Sequence, residues 1–405
     1  MSGPSGAELL HDPATLRAAD TGDLIAAASC AGAQVRAVAG QLADLPGTDR
    51  PRALVVVGPT AAADAAVLAA LLGDRVPAPI VAGPSLPGWV GPLDLVVVLA
   101  GSRDDEQSAV AAGTARYRGA VVHVRAAADG PVATAAEQTL LPVELAVPEG
   151  LAAPARIALL AGLAATAGLG RDPRLAQLAD LADQVTLTVH PGAESFTNPA
   201  VDLAEHLLGG VGVFVGCDPL GDALAAHAAA VLIDIAGLPA ADLPSVRAAG
   251  SPALFGRMAP REGLFDDPFA DDAAGAPPAR PVLLATESAQ PGERSARPSL
   301  LAPLRRALPR ARVWEPAPPG PSDRPVDGSL PARALALVVQ LDMTAVYAGL
   351  LAGQRLPADH PNGLGRSGGS RWAVRAAVPG RRADGGVFAD REDQPDRRER
   401  YDSWN

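Results

Sequence analysis

Apolar positions along this chain follow two rhythms. Short runs rich in Val, Leu and Ile are too brief for free-standing helices, and they mark strands buried on both faces of a parallel sheet. Ala53–Val57 (ALVVV), Ile80–Ala82, Leu93–Leu99 (LDLVVVL) and Ala120–Val124 are such runs. Between them apolar residues recur every three or four positions, the spacing of a helix with one buried face. Asp12–Leu45 is expected to be helical, with Leu16, Ile25, Val35 and Val38 inward, Asp12 as cap and Pro13 in the first turn. Ala61–Leu72 and a segment ending near Arg118 continue the pattern. Strands alternating with helices at this spacing predict a doubly wound α/β unit, with leading helices, over residues 1–150.

The alternation then repeats. Glu149–Leu169 and Pro173–Val189 read as two helices of a connector over residues 151–190. Asn198 caps a helix that begins at Pro199 and ends near Leu208, and Val211–Val215 is the next strand. Pro219–Ala236 is a helix, Val282–Ala285 a strand, Ser299–Ala307 a helix and Ala311–Trp314 a strand. Ala332–Gly353 is a long apolar helix interrupted by Asp342 and Thr344, and a carboxylate there needs a buried partner, such as an Arg of the other half. Residues 191–360 therefore look like a second copy of one design. The expected fold class is α/β: two tandem domains, each a flavodoxin-like parallel sheet in a three-layer αβα sandwich. Gly263–Pro278 and Glu315–Pro331 read as surface loops, and residues 361–405, rich in Arg, Gly and Asp, as a disordered tail.

In such a fold ligands gather at the carboxyl ends of the strands, over loops and helix N-termini. The loop after Leu93–Leu99 is Ala100-Gly101-Ser102-Arg103-Asp104-Asp105-Glu106, in which Ser102 and Asp105 read as a capping box. The loop after Ala53–Val57 is Gly58-Pro59-Thr60.

Composition narrows the chemistry. The chain has 405 residues, 48% apolar and 20% charged, enough for two or three domains with real cores. Every basic side chain is Arg, so Schiff-base chemistry on Lys and a Lys-bearing phosphate loop are excluded. A net charge of −11 argues against nucleic acid and anionic membranes as partners. Leu151–Leu169 is long and apolar but carries Arg156, which favours a buried helix over a membrane span. Cys30 and Cys217 form no disulfide framework, and the N-terminus lacks the pattern of a signal peptide; both suit a cytoplasmic protein. No metal is expected, because His123, His190, His206 and His227 lack ligand spacing. No dinucleotide cofactor is expected either, since Gly58-Pro59-Thr60-Ala61-Ala62-Ala63 lacks the glycines of a dinucleotide fingerprint.

The tandem α/β units, the segment ESFTNPAVDLAEHLLGGVGVFVG (Glu194–Gly216) and the late helix QLDMTAVYAGLLAGQRLPAD (Gln340–Asp359) together resemble the bifunctional phosphoglucose/phosphomannose isomerases, of the sugar isomerase (SIS) fold. That resemblance implies a homodimer acting on a sugar phosphate, interconverting glucose 6-phosphate or mannose 6-phosphate with fructose 6-phosphate. It also implies a hydroxyl-rich loop for the phosphate, a carboxylate that moves a proton between C2 and C1, and a His that helps open the ring. Carried onto this sequence, Gly58, Thr60, Gly101, Ser102 and Arg103 would hold the phosphate, Asp234 would be the base and His227 the ring-opening residue. The departures are physical. Ser102 is the one hydroxyl left in its loop, and Asp104, Asp105 and Glu106 crowd a helix N-terminus that should attract a dianion. Asp234 is one methylene shorter than Glu and has no Lys beside it, although its neighbours Leu232, Ile233 and Ile235 would raise its pKa on burial. Each of these residues also has a plain structural use as cap, solvated turn or core histidine. A protein that keeps the fold and binds without catalysis is therefore the alternative.

Overall fold

The computed structural model describes residues 12–193, 197–250, 277–286, 299–316 and 329–353. The first half opens with three helices, α1 (Pro13–Ala19), α2 (Leu24–Ala28) and α3 (Ala31–Ala43), where the spacing predicts one. Asp20 breaks the run: its carboxylate accepts the Leu24 and Ile25 N–H groups at 2.9 and 2.8 Å, so a new helix starts there. Asp12 caps α1 with Pro13 at its first position, as expected.

A first sheet follows, built from β1 (Leu54–Val57), β2 (Ile80–Gly83), β3 (Leu95–Leu99), β4 (Val121–Ala126) and β5 (Leu140–Pro142). Its helices are α4 (Ala61–Leu72), α5 (Glu106–Tyr117) and α6 (Pro131–Ala136). The strand order is β2-β1-β3-β4-β5, and each neighbouring pair is parallel. Every residue of β1 and β3 is buried, which is why these strands read as continuous apolar runs.

A 3-10 turn (Glu149–Leu151) leads to α7 (Ala153–Thr166) and α8 (Leu175–Val189), and then to α9 (Pro199–Leu207). The second sheet comprises β6 (Val211–Gly216), β7 (Ala240–Leu243), β8 (Ala279–Leu284) and β9 (Arg312–Trp314), in the order β7-β6-β8-β9 and again parallel. Its helices are α10 (Pro219–Ala236), α11 (Ser245–Ala249) and α12 (Leu301–Ala307); α13 (Leu330–Leu351) comes last. The second sheet repeats the order of the first four strands, so the chain carries two α/β units of one design. The expected disordered tail lies outside the described residues, as does most of each expected surface loop.

Side-chain alternation assigns each strand to two cores. Leu54, Val56, Leu95 and Val97 face a central core shared with Phe214, Val282 and Leu284 of the second sheet. Val55, Val57, Val96 and Val124 face an outer core under α5 and α6, while Val213, Val215 and Leu283 face another under α11 and α12. Helices α3, α4, α7, α8, α9, α10 and α13 fill the space between the sheets. Both α10 and α13 are long and apolar enough to cross a membrane by length and composition, yet both are mostly buried inside the protein, α13 almost completely. The α7 segment that contains Arg156 is likewise a buried core helix.

Candidate functional site

The two loops singled out by the crossover meet at the carboxyl edge of the first sheet. Gly58, at φ +146°, ends β1 so close to β3 that a Cβ there would lie 2.0 Å from the Leu99 carbonyl oxygen. Only glycine fits this approach. A Cβ on Gly101 would lie 2.5 Å from the Pro59 ring, so the Gly58–Thr60 and Gly101–Asp105 loops are in contact. Thr60 stands at the N-cap of α4 but makes no capping bond. Its Oγ1 is buried and has no hydrogen-bond partner among the described residues.

The N-terminus of α5 is differently built. Asp105 is its cap, and Ser102 is exposed and outside the cap, which corrects the capping box expected from sequence. The helix starts at Glu106 because Asp105 alone suffices: it accepts the Ser108 N–H at 3.0 Å, the Ser108 hydroxyl at 2.7 Å and the Gly101 N–H at 3.2 Å. Burial pushes this carboxyl up, but those hydrogen bonds outweigh it and hold it below the ordinary aspartate value. A carboxylate thus fills the place where the α5 dipole would attract an anion. Arg103 pairs with Asp129 at 2.8 Å, both side chains being more than half exposed. Such a surface pair contributes little stability and occupies the guanidinium.

The second sheet closes its carboxyl edge the same way. Asp218 caps α10, accepting the Gly221 N–H at 2.8 Å and both the N–H and the hydroxyl of Thr286. Cys217 beside it is no thiolate: burial, reinforced by Asp218, Asp222 and Glu315, pushes it up to about 12.

Asp234 is exposed near the end of α10, and among the described residues no hydrogen bond or ion pair joins it to Thr60, Ser102 or Arg103. The burial expected from its apolar neighbours is corrected by helix geometry. Leu232 and Ile235 turn inward, at 2% and 4% exposure, while Ile233 beside Asp234 is 48% exposed. His227, two turns earlier on α10, is buried, and its Nε2 lies 2.8 Å from Asp342 Oδ1 on α13. Asp342 therefore has its buried partner in the same half, a histidine and not the arginine expected; Arg156 of α7 acts on it at longer range. Burial pushes the Asp342 carboxyl above the ordinary range, with His227 and Arg156 opposing.

The other polar groups of this central layer are ones that sequence reasoning did not select. Arg156 Nε lies 2.8 Å from Asp64 of α4, and its Nη1 lies 2.6 Å from Glu149. Burial pulls the Arg156 guanidinium down, but Asp64 and Glu149 outweigh it and set it above its ordinary value. Glu149 is pushed up by burial against the pull of Arg156 and Arg125. The legible signal was a lone charge in an apolar stretch of each helix: Asp64 in AAADAA, Arg156 in PARIALL and Asp342 in QLDMT. Among the described residues no group of three His, Cys, Asp or Glu is placed to hold a metal ion.

No protein-family model matches the sequence, and no curated protein matches it. Solved structures do match. A hypothetical protein from Thermus thermophilus superposes with a TM-score of 0.59 at 15% identity, covering 85% of this chain and 90% of that one. A candidate phosphosugar isomerase from Bacillus subtilis matches with a TM-score of 0.50 at 16% identity, over 80% of this chain and 94% of its own. A further candidate phosphosugar isomerase, from Clostridium difficile, matches with a TM-score of 0.50 at 8% identity, over 80% and 92%. At these identities the likeness is one of fold. The chain carries the α/β fold of tandem sugar isomerase domains.

Proposed function

We propose that the protein binds a sugar phosphate at the carboxyl edge of its first sheet, as a protein of the phosphoglucose/phosphomannose isomerase type. The observation that carries this reading is the N-terminus of α4. Of the three long helices that leave β1, β3 and β6, α5 and α10 are closed by Asp105 and Asp218, while α4 has no side-chain cap and the Thr60 hydroxyl beside it lacks a partner among the described residues. A helix N-terminus with a spare hydroxyl suits the phosphate of a hexose phosphate. Gly58 brings the backbone close, Gly101 and Ser102 lie on the adjoining loop, and Arg103 would have to leave Asp129 to take part.

A second reading, aldose–ketose isomerisation at the same site, is favoured by the His227–Asp342 pair, because a carboxylate-oriented histidine can pass a proton. The exposure of Asp234, with no bond to Thr60, Ser102 or Arg103 among the described residues, weighs against that residue as the base. Assembly as a homodimer, with domains at 1–150 and 191–360 joined by 151–190, belongs to the same proposal.

Thermal unfolding with fructose 6-phosphate, glucose 6-phosphate and mannose 6-phosphate, beside a coupled isomerase assay, tests both readings. A ligand that binds only the folded state raises the midpoint, by about 2.7 kcal/mol of stability at a hundred times its Kd. A shift that weakens by about tenfold in apparent affinity with Thr60→Val supports the binding reading, since a hydroxyl bonded to a charged group is worth about 1.5–3 kcal/mol. Turnover in the same sample establishes the second reading; no shift with any of the three sugars sinks the first.

A further inference from the structure

Eight large apolar side chains are exposed among the described residues, and five of them fall on one side of the first unit: Trp89, Leu93, Val110, Tyr117 and Val121. Local structure brings them together. Val110 and Tyr117 stand two turns apart on α5 and share its outward stripe, with Gly113 and Thr114 between them. Leu93 lies just before β3, and Val121 opens the neighbouring strand β4, so both sit at the amino edge of the sheet where α5 ends. The β2–β3 loop that carries Trp89 is fixed beside them. Its Leu86 and Val90 pack into the outer core under α5, and Arg118 Nη1 donates to the Pro87 carbonyl at 2.9 Å. Arg52 holds Asp94 through two bonds, at 3.0 and 2.6 Å, and its guanidinium carbon lies 5.4 Å from the centroid of the Trp89 ring. The face is therefore ordered before anything binds it, which lowers the cost of association.

Tyr117 at 93% exposure, Leu93 at 70% and Val110 at 68% gain almost no burial from the fold of a single chain. A sequence with only four tryptophans and three tyrosines places one of each on this face, and these are the side chains that anchor protein interfaces. The charges at the two ends of α5 say what covers it. Asp104 and Glu106 are exposed at its start and have no ion pair among the described residues, since Arg103 is taken by Asp129. At its end Arg116 is taken by Glu137, while Arg118 meets only a carbonyl. The helix is thus negative where it begins and positive where it ends, with an apolar stripe between. Turned end for end, such a face is its own complement. An antiparallel contact sets Tyr117 of one copy against Val110 of the other and brings Arg118 of one toward Glu106 of the other; a parallel contact would set like charges together. A Cβ on Gly113 would have nothing within 4 Å, so two helices have room to cross closely at that point.

We propose that the outward face of α5, with the adjoining amino edge of the first sheet, is an isologous interface between two copies of this chain, the two α5 helices crossing antiparallel about Gly113 and Thr114. The proposal names the surface of the homodimer put forward above and rests on that reading. Helix α5 alone is about 18 Å long, too little for the roughly 800 Å² that a stable pair takes from each copy. Leu93, Val121 and Trp89 extend the apolar area beyond its end.

Sedimentation equilibrium of the full chain tests the assignment. The wild type is expected to be a dimer, and Tyr117→Asp should weaken dimerisation by about thirtyfold or more, the scale of an interface hot spot. Its far-ultraviolet dichroism should stay unchanged, because the side chain is almost fully exposed. Glu106→Arg and Arg118→Glu should each weaken the dimer, and both together in one chain should restore it, an outcome that a merely structural role does not produce. Gly113→Cys should give a disulfide-linked pair on mild oxidation, where the wild type, with Cys30 half-buried and Cys217 buried, gives none. A wild-type dimer that Tyr117→Asp leaves intact and that Gly113→Cys does not cross-link overturns this surface and leaves the homodimer reading standing. A wild type that stays monomeric overturns both, and its co-sedimentation with phosphatidylglycerol vesicles would assign the face to a lipid surface instead. Should Tyr117→Asp fail to fold, the charge-exchange pair and the Gly113→Cys cross-link decide the matter.

Discussion

At the scale of single residues, the central layer is governed by charges that have left water. Arg156 is held on two sides by Asp64 and Glu149, with Asp64 and Arg156 both almost completely buried. Desolvating such a triad offsets most of its attraction, so its presence adds little net stability, whereas breaking it is expensive. Arg156→Gln leaves two carboxylates facing each other in the core, one of them already raised by burial. Urea denaturation should report a loss of about 3–5 kcal/mol; a loss under about 1 kcal/mol would mean that water reaches the triad. A reader of the sequence can see that Arg156 sits in an apolar helix. Its two partners come from 92 and 7 residues away, and only the fold brings them to it.

At the scale of elements, local chemistry set most boundaries. Helices α4 and α10 begin and end where the apolar spacing predicts, and Asn198 caps α9 with Pro199 at its first position. Helix α5 starts later than predicted, since one aspartate proved enough to cap it. Asp105→Ala should therefore cost about 1 kcal/mol at neutral pH, the usual worth of a cap. The pH dependence has a fixed sign. Because the folded-state pKa of Asp105 lies below its unfolded value, its contribution is complete above about pH 4 and fades as the pH falls through the lower folded value. Denaturation curves of wild type and Asp105→Ala should differ at pH 7 and converge in acid. A difference that grows toward acid pH would contradict the assignment of Asp105 as the cap. Two strands escaped prediction for a reason visible in their burial: β7 (AADL) has no buried residue and β5 (LLP) has one. Each lies at a sheet edge, where no continuous apolar run is needed.

At the scale of the whole molecule, the two α/β units share one core. Leu54 and Val97 of the first sheet belong to the same apolar cluster as Phe214 and Leu284 of the second, with α13 buried along almost its full length between them. Removing either half would bare the inner face of the other. A single cooperative unfolding transition is therefore expected, and a fragment of residues 1–150 should lack fixed tertiary structure on its own. Calorimetry of the full chain and near-ultraviolet dichroism of the fragment check this; two well-separated transitions would show that each sheet has a sufficient core of its own.

The pattern of the sequence by itself determined the fold class. Apolar runs without alternation can only be strands covered on both faces, and helices between them can only return the chain in parallel. It also located the loops at the carboxyl edge of the first sheet, because that edge follows from strand direction alone. The tertiary structure alone decided which of those loops leaves its helix without a side-chain cap and which is closed by its own aspartate. It alone paired His227 with Asp342, left Asp234 in solvent, and set Arg156 between Asp64 and Glu149. The physical reason is range: caps and periodicity act within a few residues, whereas the buried pairs His227–Asp342 and Arg156–Asp64 join groups 115 and 92 positions apart.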